Sequence, residues 1–199
     1  MPHKKAKQMI LINGAMRSGK DFTASLLAEE LNLLGLSTEL VSFAYPMKYI
    51  ISQTFDISLE QLDDYKNNLM SLASEEQEVI TNFRQILQRF GTEGMKPVFG
   101  DDVWAVMGWQ KAINSRADVI IITDYRFDIE GQTFVRNAKD LVDVFIDFIY
   151  IKGQASAGDN HSSEVKPSLE FNYEVDNSKQ DDTVKQFVKF YAKVCNDRR

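Results

Sequence analysis

The stretch Gly14-Ala15-Met16-Arg17-Ser18-Gly19-Lys20-Asp21 lies between an apolar run, Met9 to Ile12, and an amphipathic run that opens near Phe22. Glycine, four residues, glycine and lysine is the spacing of a phosphate-binding loop, and a strand before it with a helix after it is the setting in which that spacing works. Gly14 and Gly19 carry no Cβ, so the backbone can bend sharply there and come close to a polyphosphate. Successive N–H groups at the positive end of the following helix then face the anion. Lys20 supplies a mobile charge for the β and γ phosphates. Gly14, Ala15, Met16, Arg17, Ser18, Gly19, Lys20, Asp21 and Phe22 are therefore the expected ATP-binding segment. After the lysine, a hydroxyl that would bind Mg2+ is replaced by Asp21. A carboxylate is a harder magnesium ligand but adds negative charge beside the phosphates, and the plainer role for Asp21 is to complement the first helical turn. The spacing does not match the G-x-G-x-x-G of a dinucleotide fold.

Working outward, Met9 to Ile12 reads as a buried parallel strand, and Phe22, Leu26, Leu27, Leu31 and Leu34 recur at helical spacing up to Gly35. Thr38 to Phe43 is a second strand. After Pro46 the chain reads as mostly helical and polar to about Ser115. Ser58 and Gln61 form a capping-box signal for a helix through Leu69, and the apolar spacing of Val79, Phe83, Ile86, Leu87 and Phe90 predicts a long helix from Glu75 to Phe90, ended by Gly91 and Gly94. A further helix is expected from about Asp102 to Asn114. So much chain between two strands exceeds a simple crossover and suggests a substrate-binding lobe.

Val119-Ile120-Ile121-Ile122-Thr123-Asp124 is a second buried strand signal, with a carboxylate at its carboxyl end. In open parallel sheets ligands sit at that edge, and in phosphate-loop proteins an acid there helps hold magnesium. Alone, Asp124 could equally be a cap or turn residue; beside the loop at Gly14 the metal role is favoured. Phe127 to Ala138 reads as a helix, Leu141 to Ile151 as a strand, Tyr173 to Val175 as a short last strand, and Asp181 to Val194 as a closing helix. The small, polar segment from about 152 to 166 reads as a lid loop or a plain linker. The fold class expected is α/β, a three-layer P-loop NTPase fold with a five-stranded parallel sheet. It forms a single domain over 1–199, with a core of about 8–45 and 116–199, a helical insertion of about 46–115 and a short lid.

Composition narrows the partners. A formal charge of −6 argues against non-specific binding to a nucleic acid polymer. Cys195 is the only cysteine and His3 and His161 the only histidines, which disfavours a disulfide or a zinc site and fits a reducing cytoplasm. The basic start, Lys4, Lys5 and Lys7, reads as a solvated tail, and no apolar run reaches the about 18 residues of a membrane span. Both monomer and homodimer remain open.

Taken together, the motifs resemble those of bacteriophage deoxynucleoside monophosphate kinases. The resemblance rests on Gly14 to Asp21, on Phe83-Arg84-Gln85-Ile86-Leu87-Gln88-Arg89-Phe90-Gly91-Thr92-Glu93, on Asp101-Asp102-Val103-Trp104, on Thr123-Asp124-Tyr125-Arg126-Phe127, on His161-Ser162-Ser163-Glu164 and on Tyr173-Glu174-Val175-Asp176-Asn177. It spans almost the whole chain in order. It implies transfer of the ATP γ-phosphoryl group to a dNMP with Mg2+, and it makes Asp21 an ordinary member of the loop. Lys20, Arg17, Asp124 and Arg126 are the expected catalytic groups, with Asp21 and Asp124 at the metal. Lys48, Arg84, Gln88, Thr92, Glu93, Trp104 and Arg126 are expected at the acceptor, Arg84 as a bidentate grip on its phosphate. No general base is required, because a monophosphate is already ionised. Two departures stand out: Phe22 replaces the family's Thr or Ser, and 152–166 contains no arginine. P-loop phosphomevalonate kinases, which share Gly-Lys-Asp-Phe and a later Asp-x-Arg, are the alternative family. A non-catalytic nucleotide-binding module is the third reading, although the Asn-Lys-x-Asp guanine signature is absent.

Overall fold

The computed structural model describes residues 6–66, 68, 70–73, 78–153, 166–178 and 182–198. The chain divides into two compact units, one of Met1–Phe43 with Ala105–Arg199, the other of Ala44–Trp104.

The first unit is built on a five-stranded sheet of β1 (Lys7–Asn13), β2 (Thr38–Val41), β5 (Val119–Ile122), β6 (Val144–Lys152) and β7 (Tyr173–Asp176), in the order β2-β5-β1-β6-β7 and parallel throughout. The central strands are short continuous apolar runs because both faces are covered. Ile10, Ile12, Ile121, Ile149 and Ile151 pack on one face against α1 (Lys20–Leu33) and α8 (Thr183–Asp197), through Leu27, Leu31, Val184, Val188 and Tyr191. Met9, Leu11, Ile120 and Ile122 alternate with them and are fully buried on the other face. There Phe134 of α7 (Asp128–Ala138) meets Trp109 and Phe43 edge-on at 5.3 and 5.8 Å. Trp109 lies on α6 (Val103–Asn114), the helix that crosses from one unit to the other. Each apolar run expected to form the sheet does so, and the architecture is that of a P-loop NTPase.

Lys7 is no tail residue. It opens β1, and its Nζ caps the end of α6 by donating to the carbonyls of Ala112, Ile113 and Ser115. At the far end of the chain Asp147, 5% exposed, accepts from the Tyr191 hydroxyl at 2.6 Å and from the Arg198 guanidinium. Burial pushes the Cys195 thiol beside them up to about 12, so it stays protonated and packs as a small apolar group.

The second unit differs from its sequence expectation. Helices α2 (Tyr45–Thr54) and α3 (Leu59–Asp64) are followed by an antiparallel hairpin, β3 (Met70–Ala73) with β4 (Glu78–Thr81), where a long helix was expected. The β-branched run Val79-Ile80-Thr81 favours strand, and Asn82 then starts α4 (Phe83–Arg89) by accepting from Gln85 N at 2.9 Å. The capping box at Ser58 is formed with Gln61, but its helix stops at Asp64 instead of reaching Leu69. Nor do Gly91 and Gly94 end a helix. A π-helical turn, Phe90–Met95, carries the chain into α5 (Lys96–Phe99), and the stop is Gly100 at φ 101°. The wide turn precedes Pro97, which lacks the N–H that the Glu93 carbonyl would accept in an α-helix. Gly91 is buried where the Met47 sulfur packs, leaving no room for a Cβ. Ile51, Leu62, Phe83 and Leu87 form this unit's own core. Most of the segment read as a lid, 154–165, lies outside the described residues.

Candidate functional site

The loop from Gly14 to Lys20 leaves β1 at the carboxyl edge of the sheet and ends as the start of α1. Its backbone reverses at Arg17 (φ 63°) and at Gly19 (φ 93°), the kind of left-handed turn with which loops gather N–H groups into an anion-binding nest. Left-handed backbone is costly for arginine and not for glycine, which is why a glycine stands at the helix N-cap. Gly19, the N-cap, has no side chain with which to cap that helix end. Its first-turn amides therefore have no acceptor inside the helix and present the positive end of the dipole.

Inside the loop, Ser18 N donates to Ala15 O at 3.1 Å, and Lys20 Nζ to the same carbonyl at 3.2 Å. Ser18 is 1% exposed, and its hydroxyl has no hydrogen-bond partner among the described residues. A buried, unpaired hydroxyl costs about 1–3 kcal/mol, so one at the centre of this loop marks a place for a polar ligand. The loop also fits closely against the sheet. A Cβ on Gly14 would fall 2.6 Å from Ile151 O, and one on Gly153, just after β6, would fall 2.5 Å from Ser18 Cα. The hydroxyl missing at Phe22 occurs one residue on: Thr23 is fully buried, and its Oγ1 donates to Gly19 O at 2.9 Å. Phe22 and Met16 are half exposed beside the loop, at 54% and 51%. Ala15, Arg17 and Asp21 are exposed.

Asp124 follows β5, whose neighbour in the sheet is β1, and the base of the loop is tied to the same turn by Asn13 Nδ2 donating to Tyr125 O at 2.9 Å. Its carboxylate accepts from Ser42 Oγ at 2.6 Å and from Phe43 N at 2.9 Å, bonds that fix it at the end of the strand. A short step beyond, Glu130 Oε2 accepts from Arg126 N at 2.7 Å and Phe127 N at 2.9 Å, so the backbone that carries the exposed Arg126 is held by a buried acid. Burial raises the Glu130 carboxyl to about 7, against the lowering by those two amides; Asp124 adds to the rise and Arg126 opposes it. Burial likewise pushes the Tyr125 phenol well up, with Asp128 and Glu130 adding to it.

The loop residues, Asp124 and Arg126 thus share the edge of one sheet. Lys48, Arg84, Gln88, Thr92, Glu93 and Trp104 all lie in the Ala44–Trp104 unit. There Lys48 grips both oxygens of Asp63 at 2.7 and 2.8 Å, Arg89 pairs with Glu93 at 3.3 Å, and the Trp104 indole donates to Gly91 O at 3.3 Å. Arg84, Gln88 and Thr92 are exposed. The sequence pattern did not disclose Thr23, Gly153 or Glu130 as parts of the site, because what each does depends on burial and on strand neighbours.

The residues suit a polyphosphate. The orphaned Ser18 hydroxyl, the Cβ-free walls at Gly14 and Gly19 and the adjacent Lys20 are complementary to an anion of that size. For magnesium the described residues contain no cluster of three or more His, Cys, Asp or Glu. Asp21 and Asp124 would have to share the ion with phosphate oxygens and water, as Mg2+ commonly does.

The fold and the loop define the class: an α/β protein with the P-loop NTPase fold. No family model matches the chain, and no curated protein does. Among solved structures, it is similar to an APS kinase from Mycobacterium tuberculosis, at 8% identity and a TM-score of 0.50, over 97% of this chain and 99% of that one. A candidate kinase from Chloroflexus aurantiacus aligns at 10% identity and a TM-score of 0.51, over 95% and 98% of the two chains. At these identities the likeness concerns the fold.

Proposed function

We propose that the protein is an ATP-dependent phosphotransferase and, more narrowly, a deoxynucleoside monophosphate kinase. The observation that carries the phosphate half of this reading is the loop itself. Its backbone turns left-handed at Gly19, and it holds at Ser18 a buried hydroxyl that no described residue satisfies. The acceptor half rests on the resemblance of Phe83 to Glu93 and Thr123 to Phe127 to phage dNMP kinases.

In this reading the loop amides from Gly14 to Lys20 and the Lys20 ammonium bind the β and γ phosphates of ATP. Arg17 lies beside the transferring group, and Arg126 reaches either phosphate. Arg84 grips the 5′ phosphate of the acceptor, with Gln88, Thr92, Glu93, Trp104 and Lys48 in the same Ala44–Trp104 unit, which we assign to acceptor binding. An acceptor phosphate oxygen forms a bond to the γ-phosphorus as the bond to the bridging oxygen of ADP breaks. The protein's contribution is alignment of two anions and screening of their repulsion. Asp21 and Asp124 would hold a magnesium ion, which would supply further neutralisation of phosphate charge.

The test is ADP formation from ATP and magnesium with each dNMP in turn, together with detection of the matching diphosphate. Lys20→Ala should lower turnover by about two to three decades, the usual cost of one preorganised charge at a transition state. Near-normal transfer by that variant would remove Lys20 from the mechanism. The sequence Gly19-Lys20-Asp21-Phe22 favours phosphomevalonate-type kinases as a second reading, which keeps the donor half and changes the acceptor. Transfer to phosphomevalonate and to no dNMP would establish it.

A further inference from the structure

The geometry points to Asn177 as a positioning residue that holds the phosphate loop in its anion-binding conformation. Asn177 lies one residue beyond β7, at the outer edge of the sheet, and its side-chain amide lies against the loop. Its Nδ2 donates to the Ser18 carbonyl at 2.9 Å, and its amide group lies so close to Gly19 that a Cβ there would fall 2.3 Å from Nδ2. Asn177 is itself fixed. Its backbone N donates to Lys152 O at 2.8 Å, extending the β6–β7 ladder by one bond, and the next residue, Ser178, turns back with its N on Asp176 Oδ1 at 2.9 Å. The side chain therefore reaches the loop from a rigid base.

The consequence follows from the planarity of the peptide. In a trans peptide the carbonyl of one residue and the N–H of the next point in opposite directions. With the Ser18 carbonyl held outward by Asn177, the Gly19 N–H must point to the opposite side, toward the concave face of the loop. Rotation of this one peptide would aim the carbonyl oxygen, a partial negative charge, at the phosphates instead. Such a flip is inexpensive beside glycine, which tolerates both signs of φ. The amide NH2 opposes it, because a carbonyl needs a donor and, among the described residues, Asn177 is the one that donates to this carbonyl. Gly153 presses on Ser18 from the end of β6, so the loop is backed by the ends of two strands, and among the described residues there Asn177 contributes the directional bond.

This inference rests on the phosphate-binding reading of the loop. The probes are inorganic tripolyphosphate, which can engage only anion-binding groups, and ADP, both measured by calorimetry in about 0.15 M salt so that loose surface attraction is screened. Asn177→Leu keeps the side-chain size and deletes the donor; both probes should bind about tenfold more weakly, the worth of one directed hydrogen bond. Asn177→Asp places a carboxylate against the Ser18 carbonyl. Its affinity should fall further near pH 7.5 and recover relative to wild type toward about pH 4, near the ordinary carboxyl value, where a protonated carboxyl can again donate. Packing alone would not give that pH dependence, and should the leucine variant fail to fold, the aspartate variant decides the matter. Unchanged tripolyphosphate affinity in Asn177→Leu, or an aspartate variant whose loss is independent of pH, overturns the positioning role while leaving the loop assignment intact. A wild-type protein that binds neither probe overturns the loop assignment, and the role of Asn177 with it.

Discussion

Replacing Glu130 by glutamine should stabilise the protein near neutral pH, contrary to the usual effect of altering a buried hydrogen-bonded group. Glu130 is 9% exposed, and its carboxyl is raised from the ordinary 4.5 to about 7, chiefly by burial. Below 4.5 the group is protonated in the folded and the unfolded chain alike and contributes nothing. Between 4.5 and about 7 the unfolded chain ionises while the folded one keeps its proton, so rising pH favours unfolding by about 1.4 kcal/mol per pH unit. Above about 7 both are ionised, and the full penalty, on the order of 3 kcal/mol, persists. Glutamine removes the charge but keeps a carbonyl oxygen able to accept from Arg126 N and Phe127 N as Oε2 does now. The assay is urea unfolding of wild type and Glu130→Gln at several values from pH 5 to 8.5. The difference between the two curves isolates this group, and the variant's advantage should grow with pH and level off above about 7. Glu130→Ala, which orphans both amides, should lie about 1–3 kcal/mol below Glu130→Gln at every pH. A gap between wild type and Glu130→Gln that does not change with pH would refute the reasoning.

Gly14→Ala should detach the loop from β6, because its Cβ would lie 2.6 Å from the Ile151 carbonyl and 2.5 Å from Ser18 Oγ. Calorimetry should show ADP affinity falling at least about tenfold, and thermal unfolding a loss of about 1–3 kcal/mol. Arg198→Met leaves the Asp147 carboxylate buried with the Tyr191 hydroxyl as its remaining side-chain hydrogen bond among the described residues. Because the arginine side chain is 27% exposed, the loss should be about 2 kcal/mol, below that of a fully buried pair, and Asp147→Asn in the same chain should recover most of it in urea unfolding.

The sheet was legible because its strands are short aliphatic blocks, such as Val119 to Ile122, that fit no other element bounded by such turns. The loop was legible because a phosphate site depends on backbone at fixed spacing. The hairpin was not, because Val79, Phe83, Ile86, Leu87 and Phe90 satisfy a helical period even though the chain divides at Asn82. Periodicity cannot reveal an internal boundary when the residues on both sides are apolar. At the candidate site, Lys20 and Asp124 are proposed from their neighbours in sequence. The bond from Asn177 to Ser18 depends on the pairing of β6 with β7, and the state of Glu130 depends on its burial; neither has a local signature.

The α/β unit is discontinuous, with Ala44–Trp104 inserted between its second strand and the rest. Its central strand, β1, has both neighbours late in the chain: Gln8 pairs with Val119 and with Phe145. During synthesis β1 leaves the ribosome on the order of a hundred residues before β5, which at about 5–20 residues per second is roughly 5–20 s. The inserted unit is continuous in sequence and can fold within that interval, while an unpaired strand of nearly pure aliphatic residues waits. Productive folding therefore depends on keeping Met9 to Ile12 from pairing with other chains until Val119 arrives.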